Sequence, residues 1–442
     1  MRERRVVASG LGVVSPFGVG RSVFWEGIAG GRSGARLIDS FDTANLPTRF
    51  AAPVPLTDEK LGGMVRDQKT LKTLSRAGRM AIVAAQEALE DSRLDLSALD
   101  PYRIGTSIGA GGTGLWDTDH SERLLDVFLM SVDCENGLRF DRSRVWPSVL
   151  HNIHPLTPLR GLPNVPTAQL AIMANARAHC QTITTACTSS AQAIGGALRQ
   201  IRHGYADLVI TGGADSMINP YGLVAFSMLG VLSTNNAEWE TAARPFDSRR
   251  DGFMIGEGAA VVILEELEHC RRRGGTPYAE VLGYCATNDA FRLTDEPPEA
   301  WGSIAAMRGA LNDAGVEAGQ VDYINAHGTG TRMNDSTETH AIKMVLGKDA
   351  YRTPISSSKS MVGHLVAGAG AIEFAACVLA VRNQKVPPTI NYRHPDSACD
   401  LDYCANVARD AHLNVVMSNS FGFGGQNACL VIGRFDGGRT EL

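Results

Sequence analysis

Short runs of aliphatic and β-branched residues alternate along the chain with longer segments of helical periodicity. The short runs are predicted as strands and cover residues 6–14, 104–108, 182–185, 208–211, 260–264, 321–325 and 415–418. Apolar positions spaced three and four residues apart predict helices over residues 76–90 and after residue 187. This alternation indicates an α/β fold with a mostly parallel sheet that is covered on both faces.

The second half of the chain repeats the pattern of the first. Residues 182–186 lead as a predicted strand into Cys187 and an Ala/Gly-rich helix, and residues 354–358 lead through Lys359 and His364 into a similar helix. The small residues on both helices predict close packing of their backbones at the centre of the molecule. We therefore expect two duplicated halves, residues 1–265 and 266–442, with the boundary near residues 265–275, where a helix ends.

Residues 118–165 do not fit the repeated pattern. They are rich in proline, tryptophan and histidine and have no clear periodicity, which predicts an irregular insertion in the N-terminal half. Insertions of this length in a compact fold often serve as lids or interface elements.

Composition narrows the classes of function. The 442 residues are 44% hydrophobic and 20% charged, which is typical of a globular protein and not of a disordered one. The 42 Lys and Arg residues do not outnumber the 47 Asp and Glu residues, so we expect no nucleic-acid partner. No apolar run approaches the roughly 20 residues that cross a bilayer, so we expect no membrane association. Nine cysteines without a CxxC pair predict a reduced, cytoplasmic protein without a disulfide framework.

One of these cysteines stands apart from the others. Cys187 follows a predicted strand and precedes residues that read as the first turn of a helix. Free N–H groups and the helix dipole at such a junction favour the thiolate, and the pKa of Cys187 is expected to lie below the usual value of about 8.5. For the other eight cysteines a buried structural role is the better interpretation.

Three further segments carry candidate chemistry. Residues 325–331 place His327 in a Gly-rich turn after a strand, residues 359–364 contain Lys359 and His364, and residues 419–427 form a Gly-rich turn around Phe423. One thiol and two imidazoles at the ends of elements indicate acyl transfer through a thioester. The main-chain N–H groups of the last turn can point at a developing oxyanion.

Other interpretations of these residues are weaker. A papain-like protease also needs Cys and His but has no use for the duplicated pattern. Cys187, His327 and His364 can in principle bind a metal ion, although ligands so distant in sequence lack the usual short spacing. Residues 109–114 mimic a dinucleotide-binding loop, but no ribose-binding acid follows at the expected distance.

Together the motifs resemble a β-ketoacyl-[acyl carrier protein] synthase of the elongating type, a member of the thiolase superfamily. The similarity runs through nearly the whole chain, at residues 6–12, 185–189, 244–247, 251–253, 325–331, 359–364 and 421–425. It implies a five-layer αβαβα fold built from two duplicated halves, and decarboxylative condensation with a malonyl-carrier protein to give a 3-oxoacyl product. It implies no bound cofactor, because the phosphopantetheine arm belongs to the carrier protein.

The resemblance also implies roles for individual residues. Cys187 would accept the acyl group, His327 and His364 would bind the malonyl thioester carbonyl, and Lys359 would organise the two histidines. The N–H groups of Cys187 and Phe423 would form the oxyanion hole. The resemblance also implies residues that contact the substrate and the carrier protein. Thr329 and Thr331 would bind the pantetheine arm, and Gly112 would line the acyl pocket. Lys69 and Lys72 would dock an acidic carrier protein.

The role of Glu373 is open at this stage. It matches an acid of the family, but one continuous helix from His364 would place the two residues on opposite faces, and a structural role is nearly as well supported. Asn325, Glu373 and Asn419 also lie in segments that resemble a monovalent-cation site of some members.

The pathway and the partner subunit are likewise open. Residues 332–335, which follow Thr331, resemble the corresponding segment of type II polyketide ketosynthases. Gln426 stands at a position where Thr is frequent in the family. A polyketide pathway is therefore at least as well supported as fatty-acid synthesis. Cys187 and both histidines argue against a non-catalytic subunit similar to a chain-length factor. A coenzyme A-dependent thiolase would carry a second cysteine at the last Gly-rich turn, whereas Cys429 lies beyond it. Either a homodimer or a heterodimer with a related subunit is expected.

Overall fold

The computed structural model describes residues 4–111, 125–133 and 139–436, and residues 125–130 are helical. The central sheet contains β1 (Val6–Ser15), β2 (Gly18–Val19), β3 (Ile104–Ala110), β4 (Cys180–Ile183), β5 (Leu208–Ser216), β6 (Glu257–Glu266), β7 (Ala279–Asn288), β8 (Tyr323–Asn325), β9 (Ile355–Ser356), β10 (Val415–Gly422) and β11 (Gln426–Arg434). Three short ribbons pair Arg36–Leu37 with Phe50–Ala51, Val132–Asp133 with Arg139–Phe140, and Lys385–Val386 with Arg409–Asp410.

The named helices are α1 (Arg21–Ala29), α2 (Asp58–Gly63), α3 (Arg76–Ser92), α4 (Arg142–Asn152), α5 (Thr157–Arg160), α6 (Val165–Met173), α7 (Ser189–Arg202), α8 (Pro220–Met228), α9 (Leu267–Arg272), α10 (Trp301–Ala314), α11 (Arg332–Leu346), α12 (Lys359–Val362) and α13 (Ala369–Asn383). Short 3₁₀ helices lie at Gln68–Thr73, Leu96–Ala98, Pro101–Arg103, Asn236–Thr241, Ala318–Gln320, Gly347–Tyr351 and Val366–Gly368.

The strand order confirms the duplication. The first half-sheet runs β4-β3-β5-β6-β1 and the second runs β9-β8-β10-β11-β7, joined by a short pairing of β1 with β7. In the first half, β3 is parallel to β4 and β5, and the remaining two pairings are antiparallel. In the second half, β8 is likewise parallel to β9 and β10, and the remaining two pairings are antiparallel. The sheet is therefore mixed, and the expectation of a mostly parallel sheet was wrong.

Five layers follow from how the two half-sheets bury their faces. Helices α7 and α13 share one apolar core between the half-sheets. Helix α3 covers the outer face of the first half-sheet, and helices α10 and α11 cover that of the second. The expected thiolase-like five-layer fold is thus confirmed, whereas the division between residues 265 and 266 stays a prediction.

The two central helices approach closely where their residues are small. A Cβ atom on Gly370 of α13 would lie 2.7 Å from the backbone nitrogen of Ala191 in α7. A Cβ atom on Gly109 of β3 would lie 2.3 Å from the nitrogen of Ser190, at the beginning of α7. These glycines let the backbone of α7 rest directly on its neighbours and fix the position of its first turn.

Two sequence-based expectations need correction in detail. Strand β7 was missed because its sequence contains Gly283 and two alanines in place of a β-branched run. Within residues 118–165 the described part is not irregular, because α4 begins after Asp141, whose side chain accepts a hydrogen bond from the N–H of Ser143. Pro147 lies inside that helix, and this proline hid the helical pattern.

One apolar stretch is long enough to be compared with a membrane span. Residues Val366–Asn383 have a mean hydropathy of 1.4 and are 83% buried inside the fold. The expectation of no such run is therefore corrected: the stretch is the core helix α13 with the turn before it, and high burial is what a core helix requires.

Candidate active site

Equivalent loops of the two halves meet at one cavity. Cys187 lies between β4 and α7, His327 follows β8, and Lys359 and His364 follow β9, while Phe423 lies in the turn between β10 and β11. The cavity has a volume of about 400 Å³ and is lined by Cys187, His327, Thr329, Thr331, His364 and Phe423, among others. The structure thus brings together six residues that the sequence predicted separately.

The backbone before Cys187 turns sharply. Ala186 has a φ of 49°, in the left-handed region that a non-glycine residue rarely adopts. This turn aims the side chain of Cys187 into the cavity, where its Sγ lies 3.1 Å from Nε2 of His364. The thiol and the two imidazoles form one cluster, because their ligand atoms all lie within 4.8 Å of one another.

The expected low pKa of Cys187 is not what the structure gives. Burial raises the pKa of the Cys187 thiol to about 12, although Lys359 and the N–H of Phe423 act in the opposite direction. Cys187 precedes the helix cap Thr188, and the effect of its burial on the pKa outweighs that of the helix terminus. The resting group is therefore a neutral thiol that is hydrogen bonded to His364.

Hydrogen bonds hold both histidines in the same tautomer. Lys359 Nζ lies 3.2 Å from His327 Nδ1, and the N–H of Val366 donates to His364 Nδ1 at 3.2 Å. Burial, followed by the charge of Lys359, lowers the pKa of both imidazoles well below the usual value. Each ring is therefore neutral and carries its proton on Nε2, and His364 presents that proton to the cavity beside Cys187.

Lys359 is anchored on two sides. Its Nζ donates to the backbone oxygen of His327 at 2.6 Å and forms a buried ion pair with Glu373. Helix α12 ends at Gly363, whose φ is 71°, and α13 begins only at Ala369. The single continuous helix considered for His364 and Glu373 does not exist, and Glu373 faces the site through Lys359.

The Phe423 turn is joined to the neighbouring loop after β7. Gly424 N–H donates to the Leu293 oxygen, Asp289 N–H donates to the Gly425 oxygen, and the Asn288 amide donates to the Gly424 oxygen, at 2.7, 2.7 and 2.8 Å. The N–H of Phe423 points to the Cys187 sulfur. Two main-chain segments therefore form one hydrogen-bonded unit beside the thiol.

The two threonines line the cavity, and Glu338 in the following helix holds the histidine turn. Thr331 caps α11, since its hydroxyl accepts from Asn334 N–H at 3.3 Å, and it bonds Thr329 at 3.0 Å. Glu338 accepts from the N–H groups of His327 and Gly328 at 2.9 and 2.8 Å. The sequence analysis missed Glu338 as a site residue, and its only signal was its spacing after the histidine turn.

The candidate docking residues do not line this cavity. Lys69 and Lys72 are exposed on the 3₁₀ helix Gln68–Thr73 and not on α3. The nearby arginines are engaged in ion pairs: Arg66 with Glu90, Arg76 with Glu257 and Asp58, and Arg79 with Asp58. Gly112 lies outside the described residues.

Two arrangements bear on bound ions. The three donors of the thiol cluster are close enough together to bind a metal ion. Their distance in sequence was therefore a wrong reason to disfavour a metal site. The Lys359 ammonium beside His327 nevertheless opposes a divalent cation. Separately, one buried side-chain oxygen of each of Asn325, Glu373 and Asn419 has no hydrogen-bond partner in the described part of the chain. Unpaired oxygens of this kind fit a hard monovalent cation.

Known proteins are similar to this chain along most of its length. The family of β-ketoacyl synthase N-terminal domains matches residues 3–270, and that of the C-terminal domains matches residues 278–393. The 3-oxoacyl-[acyl-carrier-protein] synthase 2 of Coxiella burnetii is 41% identical over 98% of this chain and 99% of its own length. The tetracenomycin polyketide synthase ketoacyl synthase alpha subunit of Streptomyces glaucescens is 38% identical over 98% and 97%.

Solved structures agree with these relatives. A type II polyketide ketosynthase bound to a hexaketide, in complex with its acyl-carrier protein, superposes with a TM-score of 0.85 at 32% identity, covering 98% of this chain and 100% of that one. The ishigamide ketosynthase/chain length factor gives a TM-score of 0.84 at 34% identity with the same coverage. The chain therefore belongs to the β-ketoacyl synthase family and is an acyltransferase of fatty-acid or polyketide synthesis.

Proposed function

We propose that Cys187 carries the growing acyl chain and that His327 and His364 drive decarboxylation of a malonyl group delivered on a carrier protein. The observation that carries this proposal is the close cluster of one thiol and two neutral imidazoles, with all donor atoms within 4.8 Å. A single cavity can then hold a thioester on sulfur and an enolate beside it, which condensation requires.

The first half-reaction is transfer of the acyl group to sulfur. The Cys187 sulfur attacks the carbonyl of the acyl-carrier thioester, the bond to the carrier sulfur breaks, and the thiol proton passes to the departing thiolate. The N–H groups of Cys187 and Phe423 stabilise the tetrahedral oxyanion. Because burial favours the neutral thiol, proton loss must accompany the attack, and the His364 Nε2–H supports the developing charge on sulfur at 3.1 Å.

The second half-reaction forms the carbon–carbon bond. The malonyl carboxylate leaves as carbon dioxide, its electron pair forms the enolate, and the Nε2–H groups of His327 and His364 hydrogen bond the enolate oxygen. The enolate carbon then attacks the thioester on Cys187, and the carbon–sulfur bond breaks to release a 3-oxoacyl product with two more carbons. The Cys187 thiolate that leaves takes up a proton from solvent and returns to the neutral thiol. Lys359 keeps His327 neutral and oriented throughout, through its bonds to Nδ1 and to the backbone oxygen.

The carrier protein is proposed to dock beside the 3₁₀ helix Gln68–Thr73. Lys69 and Lys72 support this because both are exposed and neither forms an ion pair with the described residues, unlike Arg66, Arg76 and Arg79. Unpaired lysines are available to the acidic surface of a carrier protein and steer its approach. Its phosphopantetheine arm then enters the cavity past Thr329 and Thr331.

A second ketosynthase-like subunit is proposed to cover the surface of residues 125–173. Among the described residues, eleven large apolar side chains in this segment are exposed, including Trp146 at 72% and Leu150 at 85%. The edge strand β4, at the end of the half-sheet, leaves backbone groups unpaired next to it. An exposed apolar area of this size marks an interaction surface.

A type II polyketide pathway and a cytoplasmic location complete the proposal. The alpha subunit of a polyketide synthase and a ketosynthase/chain length factor stand among the similar proteins, beside fatty-acid enzymes. All eight cysteines in the described residues are free thiols, which favours a reducing compartment. The alternative of a chain-length-factor-like subunit is opposed by Cys187, and that of a thiolase is opposed by Cys429, which is buried in β11 away from the Phe423 turn.

A monovalent cation is proposed to bind the unpaired oxygens of Asn325, Glu373 and Asn419, where it would supply a fixed positive charge behind the histidines. Potassium, compared with choline at equal ionic strength, should raise the melting temperature of the protein. The variant Asn419→Leu should lose this difference, and an equal response of both proteins would contradict the site.

Intact-protein mass spectrometry tests the main proposal. The protein is incubated with acyl-carrier and malonyl-carrier substrates, and the acyl group is mapped by proteolysis. We expect the acyl mass on Cys187 and a 3-oxoacyl product on the carrier. Cys187→Ala should remove both signals, whereas Cys180→Ala, which removes an exposed thiol, should retain them. An acyl group on another residue, or product formation by Cys187→Ala, would refute the mechanism.

A further inference from the structure

Glu296 lines the reaction cavity without a partner of its own. Its carboxyl makes no hydrogen bond or ion pair with any residue that the structure describes, although it borders the same cavity as Cys187. The acids next to it are engaged: Asp289 accepts from the Asn427 amide at 2.8 Å, and Asp295 pairs with Arg292 at 3.1 Å. The side chain of Glu296 is half-buried, so its carboxyl is free to bind a ligand that enters the cavity.

The neighbours of Glu296 place it in a particular part of the wall. The carboxyl groups close enough to act on it are those of Glu338, Asp289 and Asp335. Glu338 and Asp335 hold the backbone of residues 327–330, and Asp289 is bonded to Gly425. Glu296 therefore belongs to the wall that carries Thr329 and Thr331, where the pantetheine arm is proposed to pass. Phe226 and Phe253, whose rings meet edge to face, form a separate apolar part.

The loop that carries Glu296 is held firmly. Leu293 accepts from Gly424 N–H at 2.7 Å, and the Trp301 indole donates to the Asp289 oxygen at 2.8 Å. Pro297 follows directly and is buried. Since both sides of the loop are anchored, the position of the carboxyl is preorganised and does not depend on a mobile tip.

The carboxyl is a proton donor at neutral pH. Burial raises the pKa of Glu296 to about 8, and the three neighbouring acids named above add to the rise. No arginine or lysine lines the described cavity wall to oppose this. A neutral carboxyl offers an O–H group, and the acceptors on a pantetheine arm are its amide carbonyls.

We propose that the Glu296 carboxyl donates a hydrogen bond to an amide carbonyl of the phosphopantetheine arm, an inference that rests on the function proposed above. Glu296 is then a substrate-binding residue that positions the arm and takes no part in bond making. Loss of this hydrogen bond should therefore raise KM, and only for substrates that contain the amide.

Two thioesters separate this role from a structural one. Acylation of Cys187 is followed by mass spectrometry with butyryl-pantetheine and with butyryl ethanethiol ester, which contains no amide. We expect Glu296→Ala to raise KM for the pantetheine ester about five- to tenfold, the worth of one hydrogen bond, and to leave kcat unchanged. KM for the ethanethiol ester should not change. Glu299→Ala, at an exposed acid three residues further, is the matched control.

The pH dependence of KM provides a second readout. In the unmodified protein, KM for butyryl-pantetheine should rise above about pH 8 as Glu296 ionises and loses its donor. Glu296→Gln keeps an N–H donor, so it should restore a low KM and remove this pH dependence. The groups that face Glu296 and titrate nearby are Asp289, Asp335 and Glu338, and all three remain in both proteins.

The outcomes are distinguishable. Equal KM increases for both esters, or an effect confined to kcat, would overturn the role of Glu296 while acylation of Cys187 in the unmodified protein still supports the proposed function. A pH-dependent KM that survives in Glu296→Gln would also overturn it. Failure of both esters to acylate Cys187 in the unmodified protein would overturn the proposed function and this inference together.

Discussion

The contact between β3 and the first turn of α7 sets the position of Cys187, and the addition of a single methyl group at Gly109 tests it. In Gly109→Ala, the new Cβ would lie 2.3 Å from Ser190 N, 2.4 Å from Ser190 Cα and 2.5 Å from the Ser189 carbonyl carbon. All three atoms are backbone, so no side chain can rotate away. Normal contact requires the beginning of α7 to move by about 1 Å.

That displacement has two measurable effects. Overpacking of a core contact should lower the free energy of unfolding by about 1–3 kcal/mol. Cys187 precedes this turn and its sulfur is 3.1 Å from His364, so a shift of about 1 Å should slow acylation on the order of a hundredfold. The rate is measured by mass spectrometry under single turnover, and the stability by chemical denaturation.

Gly196→Ala is the matched control in the same helix. A Cβ atom at Gly196 meets nothing within 4 Å, so this substitution should raise the free energy of unfolding by about 0.5–1 kcal/mol and leave acylation unchanged. If Gly109→Ala unfolds at the same denaturant concentration as the unmodified protein and acylates at the same rate, the close contact does not position Cys187 and the reasoning fails.

Three further predictions concern the site and the fold. Cys187→Gln should form no condensation product yet still release carbon dioxide from malonyl-carrier, because both imidazole donors remain; loss of carbon dioxide release would contradict this. His364→Ala should slow carbon dioxide release about a hundredfold but should slow self-acylation less, because the proposed oxyanion donors of acylation are main-chain N–H groups. Equal losses in the two assays would count against a role of His364 in stabilising the enolate. Glu265 is buried, which disfavours its charge, but its hydrogen bonds to Arg273 and His269 outweigh burial and lower its pKa from 4.5 to about 2. Its contribution to the free energy of unfolding is therefore present above pH 4.5 and disappears as pH falls towards 2. The unmodified protein should therefore lose about 3 kcal/mol more than Glu265→Gln between pH 5 and pH 2, measured by denaturant titration, and parallel curves would show that the ion pair does not stabilise the fold.

Residues that combine a distinctive chemistry with the end of a predicted strand could be found from the sequence. Cys187 and His327 lie just after strands of the repeat, His364 follows β9 and the short helix α12, and the structure places all three in one cavity. Lys359 was assigned through the family resemblance, and its contacts with His327 agree with that role.

Properties that depend on packing could not be predicted. The pKa of Cys187 depends on how completely its neighbours exclude water, and the helix-terminus argument considered only the local dipole. Glu338 sits within an amphipathic helix pattern, and only the tertiary structure shows that its carboxylate turns towards the backbone of His327. The interruption of the helix before Glu373 depends on the left-handed turn at Gly363.

Hydrogen bonds join the Phe423 turn to the loop after β7, so the position of the turn depends on the position of the loop. Any displacement of the loop also pulls on Gly424 and Gly425, and through them on the neighbouring N–H that faces the sulfur. The alignment of that N–H, the proposed oxyanion donor, therefore depends on hydrogen bonds that reach into a second loop.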